Sequence, residues 1–108
     1  MSENQPLLVL CEKSEIAEGD ILKVETGGLE LAVYHVDGDY FVTDDACTHG
    51  PGSLSEGELD GHVIECDFHN GAFDIRDGKV VAPPCMIDLR TYRVAPHSTQ
   101  VQIEAPGI

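Results

Sequence analysis

Apolar residues in this chain come in short runs, each cut off by a turn rich in glycine, aspartate or proline. Leu7-Leu8-Val9-Leu10-Cys11 is an unbroken apolar run of strand length and predicts a buried strand. Residues 14–20 read as a turn or a single helical turn ended by Gly19. Residues 21–25 form the next strand, Thr26-Gly27-Gly28 a turn, and residues 29–36 a strand with partial alternation. Asp37-Gly38 is a hairpin signal, and residues 40–43 are the strand it introduces.

The second half repeats this grammar with shorter pieces. Residues 50–60 hold four glycines or prolines and several acids, and predict a loop that swings away from its neighbours. Strands follow at 62–65, 71–75 and 79–81, with Asp77-Gly78 as the turn between the last two. Ala82-Pro83-Pro84-Cys85 is a rigid extended loop, and residues 89–94 and 101–104 are closing strands. Many short strands with regular turns and no amphipathic helix predict an all-β antiparallel sandwich or barrel. Residues 43–85 read as a small subdomain inserted into a larger antiparallel framework.

Length and composition narrow the class. The chain has 108 residues, which fits a single domain able to bury a core without disulfides. No apolar run approaches the roughly 18 residues of a membrane span, and the first residues lack a secretory pattern. A cytoplasmic, monomeric protein with free thiols is the expectation. The net charge of −14 argues against nucleic acid and anionic membrane as partners. Residues 1–60 carry 14 acids and 2 bases, so the charge is concentrated in the first part of the chain. Solubility explains that bias as well as electrostatic steering towards basic partner surfaces does.

The chemistry-bearing pattern is Cys47-Thr48-His49 followed by Cys66-Asp67-Phe68-His69, with 16 residues between His49 and Cys66. Two thiols and two imidazoles make a four-ligand metal site, and soft thiolates select zinc, copper(I) or iron–sulfur centres. Zinc knuckles bring like pairs, two cysteines on one arm and two histidines on the other. Here each arm brings one of each, as a Rieske cluster needs, because one iron takes both cysteines and the other both histidines. A structural zinc domain remains the competing reading at this point.

CTHGPG at 47–52 and CDFHNGAFD at 66–74 resemble the two cluster-binding boxes of Rieske-type ferredoxins, the electron carriers of bacterial aromatic-ring-hydroxylating dioxygenase systems. The resemblance extends over nearly the whole chain and implies the Rieske fold. It also implies one [2Fe–2S] cluster held by Cys47, His49, Cys66 and His69, with the histidines exposed at the loop tips. By the same resemblance the chain is not an enzyme. It carries one electron from an NAD(P)H-dependent flavin reductase to a terminal oxygenase. A Rieske subunit fixed inside a larger oxidoreductase is the second alternative. Respiratory and photosynthetic Rieske proteins join their boxes by an extra disulfide. The matching positions here are Gly52 and Phe68, which moves this chain to the low-potential ferredoxin group. Formal charges agree with the use of histidine: two ferric ions, two sulfides and two thiolates sum to about zero, against about −2 for four thiolates.

The remaining candidates read as structural. Cys11 is a small core residue, and Cys85 is expected to pack in the loop that covers the cluster. His35, His62 and His97 have no second ligand at a useful spacing and are expected at surface or half-buried positions. Tyr40, Phe41, Phe73 and Tyr92 fit strand packing, Phe68 is placed to screen the cluster, and Asp74 is a candidate brace for the second box.

Overall fold

The computed structural model describes residues 7–26, 28–46, 52–66, 71–82, 88–95 and 98–104. Among them are ten strands and two short 3-10 turns, with no α-helix. The strands are β1 (Leu7–Glu12), β2 (Ile21–Thr26), β3 (Leu29–Val36), β4 (Asp39–Asp44), β5 (Glu58–Asp60), β6 (Val63–Glu65), β7 (Ala72–Asp74), β8 (Val80–Ala82), β9 (Thr91–Tyr92) and β10 (Gln100–Glu104). All pairings are antiparallel: a ribbon β1-β10, a central sheet β2-β3-β4-β9, and a third sheet β5-β6-β7-β8 inserted in the chain between β4 and β9. The expected all-β antiparallel architecture is the one observed. No helix among the described residues is long and apolar enough to cross a membrane.

β3 explains the layering. Leu31 and Val33 point into a core shared with Cys11, Val101 and Ile103 of the ribbon. Ala32, Tyr34 and Val36 point the other way, into a core shared with Ile64, Cys66 and Phe73. A strand buried on both faces needs apolar residues at successive positions, which is why its alternation is only partial. Each such side chain contributes about 1.5–3 kcal/mol on burial, so β3 is the spine that joins both cores. One buried polar pair sits beside it: Tyr34 Oη lies 2.9 Å from Thr43 Oγ1. The Asp37-Gly38 hairpin forms as expected, both residues with positive φ (54° and 79°). The Glu18 carboxylate caps it, accepting from Asp37 N–H at 2.6 Å and Gly38 N–H at 3.1 Å. Those two bonds, joined by nearby His35, hold the Glu18 carboxyl below the usual range.

Three expectations are corrected. The run 7–11 is a strand, but alternate side chains stay outside, with Leu7 50% and Val9 46% exposed. A two-stranded ribbon has one covered face, so an apolar run there is half-buried. The 50–60 loop is not structureless where it is described: Leu54–Glu56 form a 3-10 turn with Leu54 fully buried, and Glu58–Asp60 pair with β6. The closing strand 89–94 shrinks to Thr91–Tyr92 plus an isolated bridge from Val94 to Ile103. Leu89 leaves the strand path because its side chain is drawn into the third-sheet core.

Burial gives the fold an alkaline limit: it raises the Tyr34 phenol, and it acts on Cys11 and Tyr92 as well. Burial, then Glu15 and Glu12, push the Cys11 thiol up to about 11 from an ordinary 9.0. Burial and the hydrogen bond to Asp44 push the Tyr92 phenol up to about 12 from 10.0. Both are neutral when folded and ionise more readily when unfolded. Their contribution is therefore complete below about pH 9 and is lost as the pH rises through about 11 and 12. The urea midpoint should be flat near neutrality and fall steeply above about pH 10, with a shallower fall in Tyr92→Phe. Identical pH profiles for the two proteins would exclude Tyr92 from that effect.

Candidate metal centre

The described residues that flank each ligand box are tied to each other. The first leaves β4, and Ala46 and Ser53 form an antiparallel bridge across its base, enclosing residues 47–52. The second leaves β6: Glu65 pairs with Ala72, and Cys66 N–H donates to the Gly71 carbonyl at 2.7 Å, enclosing residues 67–70. Hydrogen bonds at the base of a short loop remove most of the conformations that a free loop would sample.

The two roots lie against each other. Leu54, just past the first loop, packs in one core with Cys66, Ile64 and Phe73. Gly57 backs directly onto the strand that carries Cys66. A Cβ placed on Gly57 would stand 1.9 Å from the Glu65 carbonyl oxygen and 3.3 Å from that of Leu54. Only glycine allows this approach. Tertiary packing thus joins the roots of two boxes that are separated by 16 residues in sequence.

Asp45 anchors the first root and escaped sequence reasoning. Its side chain is buried, 1% exposed. Oδ1 accepts from Ser55 N–H at 2.7 Å, Oδ2 accepts from the Ser53 hydroxyl, and Lys23 Nζ stands 3.7 Å from Oδ2. Its own carbonyl accepts from Leu54 N–H at 2.8 Å, and its N–H donates to Glu30 at 2.9 Å. The neighbouring Asp44 accepts from Tyr92 Oη at 2.6 Å. The available signal was an acid two residues before Cys47 and two serines flanking Leu54, too short a pattern to show any period.

Of the four expected ligands, Cys66 lies at the described root of the second loop, buried to 1%. Cys47, His49 and His69 lie outside the described residues, as do Phe68, Cys85 and His97. Cys11 sits in the ribbon core, on the opposite face of the central sheet from Cys66. Its raised thiol keeps it protonated, and a protonated thiol is a poor metal ligand. His35 stacks on Tyr40 at 4.2 Å and its Nδ1 lies 2.9 Å from the Ile16 carbonyl, while His62 meets Phe41 edge-on. Both are half-buried, as expected. Asp74 pairs with Arg76 in the turn that follows β7. It receives Arg76 N–H at 2.9 Å and the Arg76 guanidinium at 3.0 and 2.7 Å, which holds its carboxyl below the usual range.

The surface beside the roots is acidic. Glu58 and Glu65 stand directly opposite each other in the β5–β6 ladder, with Asp60 on the same edge strand. A like-charge cross-strand pair opposes folding and favours a cationic neighbour.

The donor chemistry fits a [2Fe–2S] centre with mixed ligation: two thiols and two imidazoles, one of each per loop, on adjoining roots. The family described as Rieske [2Fe-2S] domain matches residues 7–93. The ferredoxin component of the p-cumate 2,3-dioxygenase system of Pseudomonas putida is 46% identical over 100 residues, covering 91% of this chain and 85% of that protein. The Sphingomonas yanoikuyae B1 ferredoxin superposes with a TM-score of 0.87 at 43% identity, over 95% of this chain and all of that one (100%). A chain in the complex of reduced oxygenase and oxidized ferredoxin in carbazole 1,9a-dioxygenase superposes with a TM-score of 0.85 at 42% identity, covering 94% of each.

Proposed function

This chain belongs to the Rieske [2Fe–2S] domain family, and from that premise we propose that it is the ferredoxin of an aromatic-ring-hydroxylating dioxygenase system. It carries one Rieske cluster and delivers electrons, one at a time, to a terminal oxygenase. It is an electron-transfer component and not the catalytic subunit. Its donor, on this reading, is a flavin-containing reductase that draws on NAD(P)H. Thiol ligands and a pyridine-nucleotide electron source both suit the reducing cytoplasm, where we place it.

Cys47 and Cys66 would hold one iron, and His49 and His69 the other. The bound cluster supplies one-electron redox chemistry at a near-neutral formal charge. The protein's part is to fix the ligands. The closed roots hold the two loops, and the Leu54–Cys66 core excludes water from beneath them. The single observation that carries the reading is that adjoining pair of roots, since each loop contributes one thiol and one imidazole. The test is the purified chain itself. It should hold about two iron and two acid-labile sulfide, and show a Rieske-type paramagnetic signal when reduced. A colourless, redox-silent protein with stoichiometric zinc would overturn the reading.

Docking should be transient and steered by charge. Steering fades as the Debye length falls from about 30 Å at 0.01 M salt to about 8 Å at 0.15 M. Ferredoxin-dependent turnover with a matching reductase and oxygenase should therefore slow as salt rises over that interval. Glu56→Lys/Glu58→Lys reverses two exposed charges next to the roots. It should be slower than the natural chain at low salt and less sensitive to salt. Salt-independent rates for both proteins would assign the acidic surface to solubility alone.

A further inference from the structure

The groups that close the first loop converge on one side chain. A buried carboxylate is costly unless its lone pairs are met, and here they are met by three partners from two parts of the chain. Ser53 and Ser55 come from the far end of the loop, and Lys23 comes from β2. Asp45 stands on the near end, two residues before Cys47, and its backbone is fixed to β3 through Glu30. The carboxylate therefore spans both ends of the segment 47–52 and ties them to the central sheet.

Resting on the reading of this chain as a Rieske ferredoxin, we propose that Asp45 is a positioning residue for the redox centre. Its carboxylate is the clasp that ties together the two described ends of the segment carrying Cys47 and His49. Groups outside the ligand set that fix ligand orientation govern how firmly a metal is kept and how it is tuned. Among the described residues, the backbone closes this end with the Ala46–Ser53 bridge and the Leu54 N–H bond to the Asp45 carbonyl, fewer ties than a continuous ladder gives. With the clasp, the first loop gains the hydrogen-bonded base that the second obtains from the continuous β6–β7 ladder.

The experiment compares Asp45→Ala, Asp45→Asn, Ser53→Ala and Ser53→Thr with the unchanged chain. Thr43→Val serves as a control that disturbs the buried Tyr34–Thr43 pair two residues before Asp45 but leaves the clasp intact. Each loaded protein is incubated with an iron chelator well below its Tm, and iron release and the paramagnetic spectrum of the reduced protein are followed. Removing the Ser53 hydroxyl, which meets both Asp45 Oδ2 and Ser55 Oγ, should speed release about three- to tenfold in Ser53→Ala, and losing the carboxylate more than about tenfold in Asp45→Ala. Asp45→Asn should fall between them, and Ser53→Thr, which restores the hydroxyl, should stay within about twofold of the unchanged chain. The spectrum should shift in both alanine variants. Thr43→Val should lower Tm and leave release and spectrum as they were. Release that tracks Tm across all the variants, Thr43→Val included, would overturn the clasp while leaving the assigned function standing. If Asp45→Ala does not accumulate folded, the Ser53 pair decides between the same outcomes. An unchanged chain that holds no iron and sulfide would overturn the function and the clasp together.

Discussion

Cys66→Ser and Cys47→Ser are expected to lose nearly all iron and acid-labile sulfide, while Cys11→Ser and Cys85→Ser retain both. The asymmetry follows from what each thiol does. A serine oxygen is a harder donor than a thiolate, and an iron–sulfur site selects the soft ligand. At position 66 the change also puts a hydroxyl into a site 1% exposed, among Leu54, Ile64 and Phe73. Cys11 is nearly as buried, so its replacement costs stability, about 1–3 kcal/mol for an unsatisfied hydroxyl. That cost falls on the ribbon core, across the central sheet from the loops. Iron and sulfide analysis beside a thermal melt separates the two effects. Loss of the cluster from Cys11→Ser, with retention in Cys47→Ser, would overturn the ligand assignment.

Gly57→Ala should do nearly as much damage without touching a ligand. Three backbone atoms surround the position that its Cβ would take: the Glu65 oxygen and carbon at 1.9 and 3.0 Å and the Leu54 oxygen at 3.3 Å. Backbone atoms cannot rotate away, so the turn must lift off β6. Forced overpacking of this kind costs at least about 1–3 kcal/mol, and here the displaced element is the root of the first loop. Gly38→Ala is the useful comparison. Gly38 has φ of +79° but open space around it, so alanine there brings only left-handed strain of about 1–2 kcal/mol. Both variants should melt earlier, but only Gly57→Ala should assemble less cluster per folded chain. Equal loading of the two would show that the seam does not control assembly.

The fold class and the two boxes were legible because their signals are local. Asp37-Gly38 specifies a tight hairpin wherever it stands between strands, and a Cys-x-His with a Cys-x-x-His needs no tertiary context to be noticed. What the sequence hid is what depends on layers. The run at 7–11 looks buried, and only the two-stranded ribbon leaves Leu7 and Val9 outside. The segment 50–60 looks like loop because of its glycines. Gly57 is there for a close approach to Glu65, and Leu54 supplies a core side chain from within the same segment. Asp45 stands out in the sequence only as an acid two residues before Cys47, and its partners come from positions 23, 53 and 55, which nothing short of the folded chain brings together.

The ribbon has a consequence for the order in which the molecule is made. Leu7 pairs with Glu104 and Glu12 with Gln100, so β1 has no partner until β10 has been synthesised. Contacts of such sequence separation are closed at the largest entropic cost and tend to form late. The β5–β8 meander is the reverse case. Each of its strands pairs with the next one in sequence, all within residues 58–82. The sheet that carries Cys66 is therefore complete in the nascent chain well before β1 finds β10. During that interval Leu8, Cys11 and the ribbon-facing side of β3 lack the strand that will cover them, and it is there that the unfinished polypeptide is most exposed to misassociation.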